Sequence, residues 1–261
     1  MLSIFQMDLN IFIAVLLYSG YASGIVLETH QNEALSISVP ASMPTADIEP
    51  ISRDFAAFAF EERSFYYYFG MQKTATSQSS TESFAGTPNN PNTFSKNLLN
   101  AITAKTNAAP NVRVGGSSLD DSQYNPSQPD PIKIPPGEEN AGIPNNMTFG
   151  PSYFDAFATI PNAKYVVDIP MKKNKLANSK AFAKAAYNKI GADNIVGLEI
   201  GNEPDNYGLS KQVYVNRWKK WSAQMMQTLD LGEQKKIFQA VCLASQTGKT
   251  GSPGAPGGWR V

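Results

Sequence analysis

Two adjacent side chains, Asn202 and Glu203, offer the clearest chemistry in the chain. They follow an apolar stretch, Ile195 to Ile200, whose length suits a strand buried on both faces, and Gly201 and Pro204 end the ladder around them. An amide and a carboxylate are thereby predicted at the carboxyl end of a buried strand, the edge of an α/β barrel where catalytic groups collect. Desolvation beside the apolar mouth of a barrel can raise the pKa of such a carboxyl until it donates a proton near neutral pH. Glycoside hydrolysis is the reaction most often run that way. The same Gly-Asn-Glu-Pro run also serves as an ordinary strand-to-helix turn, with Asn and Pro present for turn geometry alone.

Other polar groups gather at the ends of further predicted strands. Glu61 closes an aromatic and alanine-rich run, residues 54–62, and Asp120 and Asp121 follow the β-branched run Asn111 to Gly116. Arg113 alternates with Val112 and Val114, so it is expected to face a barrel interior and hold a carboxylate, either at a site or in a structural ion pair. Glu199 lies four residues before Glu203, about 13 Å away along a strand, too far to act as its catalytic partner. It reads as an interior residue paired with a cation. The diglycine Gly115-Gly116 is no phosphate cradle, because no Gly-x-x-x-x-Gly-Lys pattern follows.

Composition narrows the chemistry. The 22 basic and 22 acidic residues cancel, so no charged face for nucleic acid is implied. Cys242 is the single cysteine and His30 the single histidine, which leaves a disulfide framework, a zinc site or a histidine-based triad without its members. No metal and no cofactor is expected. Carboxylates remain for acid/base work.

The elements that must position these groups alternate. After the run at 54–62 comes a polar loop, 72–93, and then a helix with Phe94, Leu98, Leu99 and Ile102 at helical spacing, capped by Ser95 and closed by Pro110. Asn111 to Gly116 is the second strand, followed by a Pro, Asn and Gly-rich excursion over 124–148. Pro151 opens a short helix with Tyr153, Phe154 and Phe157 on its apolar face. Ala163 to Met171 is the third strand. Ser179 caps a helix with Phe182, Ala185, Ala186 and Ile190 inward and Gly191 past its end. The fourth strand, 195–203, precedes a helix opened by Ser210, whose stripe of Tyr214, Trp218, Trp221, Met225 and Leu229 is read as core, with its end at Gly232. Lys236 to Leu243 is a fifth strand that buries Cys242 as a small apolar residue. Strands alternating with helices argue for parallel pairing through crossover helices, and five strands fall short of the eight of a closed barrel.

Residues 1–24 read as a secretory signal: the apolar core Ile11 to Leu17 is too short to span a bilayer and Ala22-Ser23-Gly24 offers a cleavage site, a short membrane anchor or a mis-set start codon being the alternatives. An extracellular destination and no stable membrane anchor follow. Residues 25–50 form an extension with a short strand at Ala34 to Val39, and His30 lies in it as a solvated residue. Asn146-Met147-Thr148 is a glycosylation sequon. Residues 51–245 form the barrel part, and the Gly and Pro-rich tail 246–261 contains no periodic element.

Five ordered blocks carry a family resemblance: residues 54–62, Asn89 to Leu99, Val112 to Gly116, Gly150 to Phe154, and Gly197 to Tyr207. Together they resemble the amino-terminal part of the fungal secreted β-glucuronidases of glycoside hydrolase family 79, with heparanase more distant. The resemblance spans roughly residues 35–245. It implies a retaining mechanism on a (β/α)8 barrel, with a proton donor after the fourth strand and a nucleophilic carboxylate after the seventh. Glu203 matches the acid/base residue and Asn202 the neighbour that contacts the sugar 2-hydroxyl, while Glu61 and Asp120 fall where sugar hydroxyls are commonly bound. A retaining enzyme needs its two carboxyls about 5–5.5 Å apart. The nucleophile segment, strands six to eight and a carboxy-terminal β-sandwich are missing from this sequence. The expectation is therefore an incomplete TIM barrel of about five βα units that acts on a glucuronide-containing carbohydrate by family but is inactive alone. A catalytically dead secreted carbohydrate-binding protein is the alternative.

Overall fold

The computed structural model describes residues 51–66, 83–138, 144–232, 237–240 and 242–244. The signal, the 25–50 extension with its strand and His30, and the tail lie outside the described residues. Five parallel strands form one sheet: β1 (Ala57–Glu61), β2 (Asn111–Gly115), β3 (Lys164–Ile169), β4 (Ile195–Ile200) and β5 (Phe238–Gln239). They pair in sequence order, so each neighbour is reached by a crossover and every carboxyl end lies on the same rim. This is a mixed α/β fold around a parallel sheet.

The sheet is two-faced. Val112, Val114, Val167, Ile169, Leu198 and Ile200 are each fully buried on one side. Against them pack α2 (Thr93–Thr106), the 3-10 helix Pro151–Thr159, α4 (Leu176–Ile190) and α5 (Lys211–Thr228), through Leu99, Phe154, Phe157, Phe182, Ala186, Tyr214, Trp221 and Met225. Each buried Val, Leu, Ile, Phe or Met among them contributes about 1.5–3 kcal/mol by leaving water. On the other side of the strands, Ala57 and Ala59 are exposed and Arg113 and Val166 half-buried. Two short helices, α1 (Glu62–Tyr66) and α3 (Ser117–Asp120), follow β1 and β2 directly on the carboxyl rim.

Local chemistry sets the helix ends, and several lie away from the sequence-based expectation. Asn92, not Ser95, caps α2 by accepting from the Ser95 backbone N–H at 3.1 Å. Its own amide donates to the Ser83 carbonyl at 2.9 Å, which ties the helix start to the Gly86–Pro91 hairpin. That phase buries Ser95 and Leu99 and leaves Phe94 75 % exposed and Leu98 46 % exposed. Ser179 is likewise no cap: α4 begins at Leu176, and the Ser179 hydroxyl donates to the Pro170 carbonyl at 2.5 Å and to the Lys175 carbonyl at 3.1 Å. Ser210 does cap α5, but that helix stops at Thr228, before Gly232, with Asp230 taking the left-handed turn. The excursion at 124–148 carries a small sheet of Gln123–Tyr124, Ile132–Lys133 and Thr148–Phe149. The fifth strand is shorter than expected, Phe238–Gln239 among the described residues, and Cys242 beyond it is half-buried, with its sulfur 3.8 Å from Arg113 Nη2 instead of in an apolar core. Among the described residues no helix is long and apolar enough to cross a membrane.

Candidate active site

The carboxyl rim gathers most of the polar groups picked out above. β1 ends in Glu61, and the diglycine Gly115-Gly116 at the end of β2 lets two carboxylates approach the backbone. A Cβ on Gly115 would lie 2.3 Å from Asp168 Cβ, and one on Gly116, whose φ is +109°, would lie 2.6 Å from the Glu61 carboxyl. Gly116 N–H donates to Asp168 Oδ2 at 3.2 Å. The Glu61 carboxylate accepts from the Ser117 and Ser118 backbone N–H groups at 3.0 Å each and from the Ser118 hydroxyl at 2.6 Å. Glu61 thus holds α3 to the end of β1.

Arg113 points to the open face, as its alternation predicts, and its guanidinium forks onto Glu199, with Nε 3.0 Å from Oε2 and Nη2 2.5 Å from Oε1. The same Nη2 donates to Asn202 Oδ1 at 3.0 Å and lies 4.0 Å from Asp168 Oδ2. The register explains the cluster, because Glu199 stands opposite Asp168 on β3 and Arg113 stands opposite Val166, two residues earlier on that strand and on the same face. Glu199 is therefore the interior partner of a cation. Asp168 is 1 % exposed, and its Oδ1 has no hydrogen-bond partner. Burial, and then the charge of Glu199, push its pKa well above the usual carboxylate range, with Arg113 pulling the other way.

Asp120 ends α3 at 7 % exposure and accepts a hydrogen bond from the Tyr207 hydroxyl. Burial pushes its pKa up to about 7, although Tyr207, Lys172 and the Asn202 amide pull it back down. Tyr207 comes from the 3-10 turn Pro204–Tyr207 that follows Glu203, and burial followed by the charge of Asp120 raises its own pKa. Asp205 of the same turn accepts the Ala244 N–H at 3.0 Å, which fastens the rim after β4 to the chain after β5.

Asn202 is 4 % exposed at the centre of this net. Glu203 is not buried with it. It is half-buried at the rim, its Oε2 accepting from Asn206 Nδ2 at 3.1 Å, and its backbone is left-handed at φ 45° and ψ 54°. Such a conformation costs a non-glycine residue about 1 kcal/mol or more and clusters where side chains are aimed for function. The buried carboxyl groups of this region include Asp120, Asp168 and Glu62.

Glu62 is the group sequence reasoning passed over entirely. It is fully buried at the start of α1, and neither carboxyl oxygen has a hydrogen-bond partner. Tyr153, the nearby hydroxyl, donates to the Glu62 backbone carbonyl at 2.9 Å. Burial pushes the carboxyl pKa up to about 8, the Tyr153 hydroxyl lowering it and Glu61 raising it further. Asp168 was missed too, though its alternation with Val167 and Ile169 was the available signal. Asn146 of the sequon is exposed, with φ 57°, and its Oδ1 accepts from Lys173 Nζ at 2.5 Å. Among the described residues no group of three or more His, Cys, Asp or Glu is arranged to hold a metal. A separate cavity of about 240 Å³ lies at the opposite, amino-terminal end of β3, lined in part by Phe157, Ile160, Tyr165 and Asn194.

No protein-family model matches the chain. It is 26 % identical over 226 residues to a β-glucuronidase of Aspergillus niger, covering 77 % of this chain and 38 % of that protein. It is also 26 % identical over 215 residues to a β-glucuronidase of Neurospora crassa, covering 76 % of this chain and 35 % of that protein. Among solved structures, a 4-O-α-L-rhamnosyl-β-D-glucuronidase from Fusarium oxysporum in its Rha-GlcA complex superposes with a TM-score of 0.57 at 22 % identity, over 80 % of this chain and 42 % of the other. The chain spans well under half the length of the relatives it matches.

Proposed function

We propose that this chain carries the acid/base half of a retaining β-glucuronidase site of the glycoside hydrolase family 79 type, on the first five units of a (β/α)8 barrel. The observation that carries the reading is the placement of Asn202 and Glu203 on the carboxyl rim directly after the fourth of five parallel strands paired in sequence order. The similarity to the Aspergillus and Neurospora β-glucuronidases supports the same chemistry. In this reading Glu203 protonates the departing glycosidic oxygen, Asn202 donates to the sugar 2-hydroxyl, and Asp120 and Glu61 accept from the remaining hydroxyls. Glu61 does so with the lone pairs that Ser117 and Ser118 leave free. The half-exposed position of Glu203 suits a donor whose pocket is closed by substrate and by a facing segment. In this reading the attacking carboxylate is supplied by that facing segment, and the substrate is a carbohydrate containing a glucuronide. Secretion behind the leader at 1–24, and a glycan on exposed Asn146, belong to the same reading.

An acid without a nucleophile does not complete a retaining double displacement. The purified chain is therefore expected to show no appreciable turnover of an aryl β-glucuronide. Turnover that Glu203→Gln abolishes would refute that inactivity, because the donor would be working without its opposing carboxylate.

A further inference from the structure

We infer that Arg113, held by Glu199, is a positioning residue that fixes which way round the Asn202 amide faces; this rests on the glucuronidase reading above only for what the amide then contacts. An asparagine side chain is close to symmetric in shape, and its oxygen and nitrogen exchange places when it turns over. Nothing in the shape of a pocket decides between the two. Arg113 decides it by chemistry. A guanidinium has five donors and no acceptor, so the end of the amide 3.0 Å from Nη2 must be the oxygen. The nitrogen, with its two protons, is then left toward Asp120, whose carboxyl the amide stabilises. A hydroxyl arriving at the rim meets a donor and not an acceptor.

The arginine is itself fixed. Its two bonds to Glu199 hold the guanidinium plane in one orientation, as a fork on a carboxylate does and a single contact does not. Glu199 is 5 % exposed and Asn202 4 % exposed, so little water competes for either bond. Asp168, 4.0 Å from Nη2, adds no second fork to compete with Glu199. Charge therefore runs from Glu199 through Arg113 to the amide oxygen and polarises the amide N–H bonds toward the rim. Lysine would retain the charge but not the geometry.

The test reads the Asn202 side-chain amide by NMR in the ligand-free chain labelled with nitrogen-15, its signals assigned by their loss in Asn202→Asp. The wild-type amide protons should exchange at least about tenfold more slowly than those of an exposed asparagine such as Asn188, since Arg113 turns them onto the Asp120 carboxyl and a net hydrogen bond there is worth roughly that factor. In Arg113→Met this protection should fall about tenfold while backbone amides of β3 and α4 keep theirs; Arg113→Lys should recover part of it and Glu199→Gln lose part of it. Should Arg113→Met fail to fold, Arg113→Lys against wild type carries the same comparison. Unchanged Asn202 protection in a folded Arg113 variant overturns the inference. Phenyl β-glucuronide and its 2-deoxy counterpart separate this from the functional reading. Wild type should prefer the former by about tenfold, and the Arg113→Met preference should fall toward one with affinity for the 2-deoxy sugar little changed. Arg113-dependent protection without glucuronide binding upholds the relay and defeats the glucuronidase reading. Binding with Arg113-independent protection does the reverse.

Discussion

Val112 and Arg113 are neighbours on β2 and face opposite worlds. Val112 is fully buried beneath the helices, whereas the Arg113 side chain keeps 23 % of its surface and spends its donors on Glu199 and Asn202. The same division runs along β3, with Val167 under the helices and Asp168 on the other side, and along β4, with Leu198 against Glu199. The helix-covered face is held by area removed from water and tolerates no gap. The opposite face is held by a few directed bonds between charged groups, any one of which can be removed without opening a cavity. The fold therefore resides mainly in one face and the chemistry in the other.

That division can be broken most severely on the apolar side. Phe182 is fully buried, with ring centroids 5.1 Å from Phe154, 6.2 Å from Tyr124 and 6.3 Å from Phe149. Phe182→Ala should cost about 3–5 kcal/mol in a urea titration, since the packed aromatic layer cannot collapse into the space. Arg113→Met should cost less, about 2–3 kcal/mol, because it strands the Glu199 carboxylate without opening a cavity in the apolar layer. A loss at Arg113 equal to that at Phe182 would show that the two faces are not so distinct.

Glu62 sharpens the contrast through pH. Its folded pKa of about 8 stands above the ordinary value of 4.5, so the folded state keeps a proton that the unfolded state releases. Its contribution is fully present below pH 4.5 and is lost as pH rises through about 8, at up to about 1.4 kcal/mol per pH unit between them. Asp120 acts in the same direction between 3.8 and about 7. Denaturation of Glu62→Gln followed from pH 5 to pH 9 should therefore show a flatter profile than wild type; an unchanged profile would mean the carboxyl finds a partner. The smallest effect belongs to Phe94, 75 % exposed on α2, where Phe94→Ser should change stability by no more than about 0.5 kcal/mol.

Much of this was legible in the residue pattern. Alternation around Arg113 put the guanidinium on the inner face, and the apolar run before Gly201 placed Asn202 and Glu203 on the rim. What was lost was phase and depth. Phe94, Leu98, Leu99 and Ile102 all satisfy helical spacing, and the spacing alone does not say that Leu99 turns inward and Phe94 outward on a helix whose start, Asn92, is bonded to Ser83. Depth is harder still. Nothing local distinguishes Glu61, which is half-buried and bonded to Ser117 and Ser118, from Glu62, which is sealed at the start of α1 with Tyr153 against its backbone. Tyr207 was visible as part of a matching block, but its hold on Asp120 depends on how the turn after Glu203 folds back over α3.

The central claim is that the rim around Asn202 and Glu203 is the place where this chain meets a glucuronide. Titrating phenyl β-glucuronide into the labelled chain and mapping the shifted backbone amides by NMR tests it most directly. Saturable shifts at Gly116, Asp120, Asn202 and Glu203, lost in Asn202→Ala, are the result expected. Shifts gathered at Phe157, Tyr165 and Asn194 around the cavity at the opposite end of β3, or no saturable shifts at all, would contradict it.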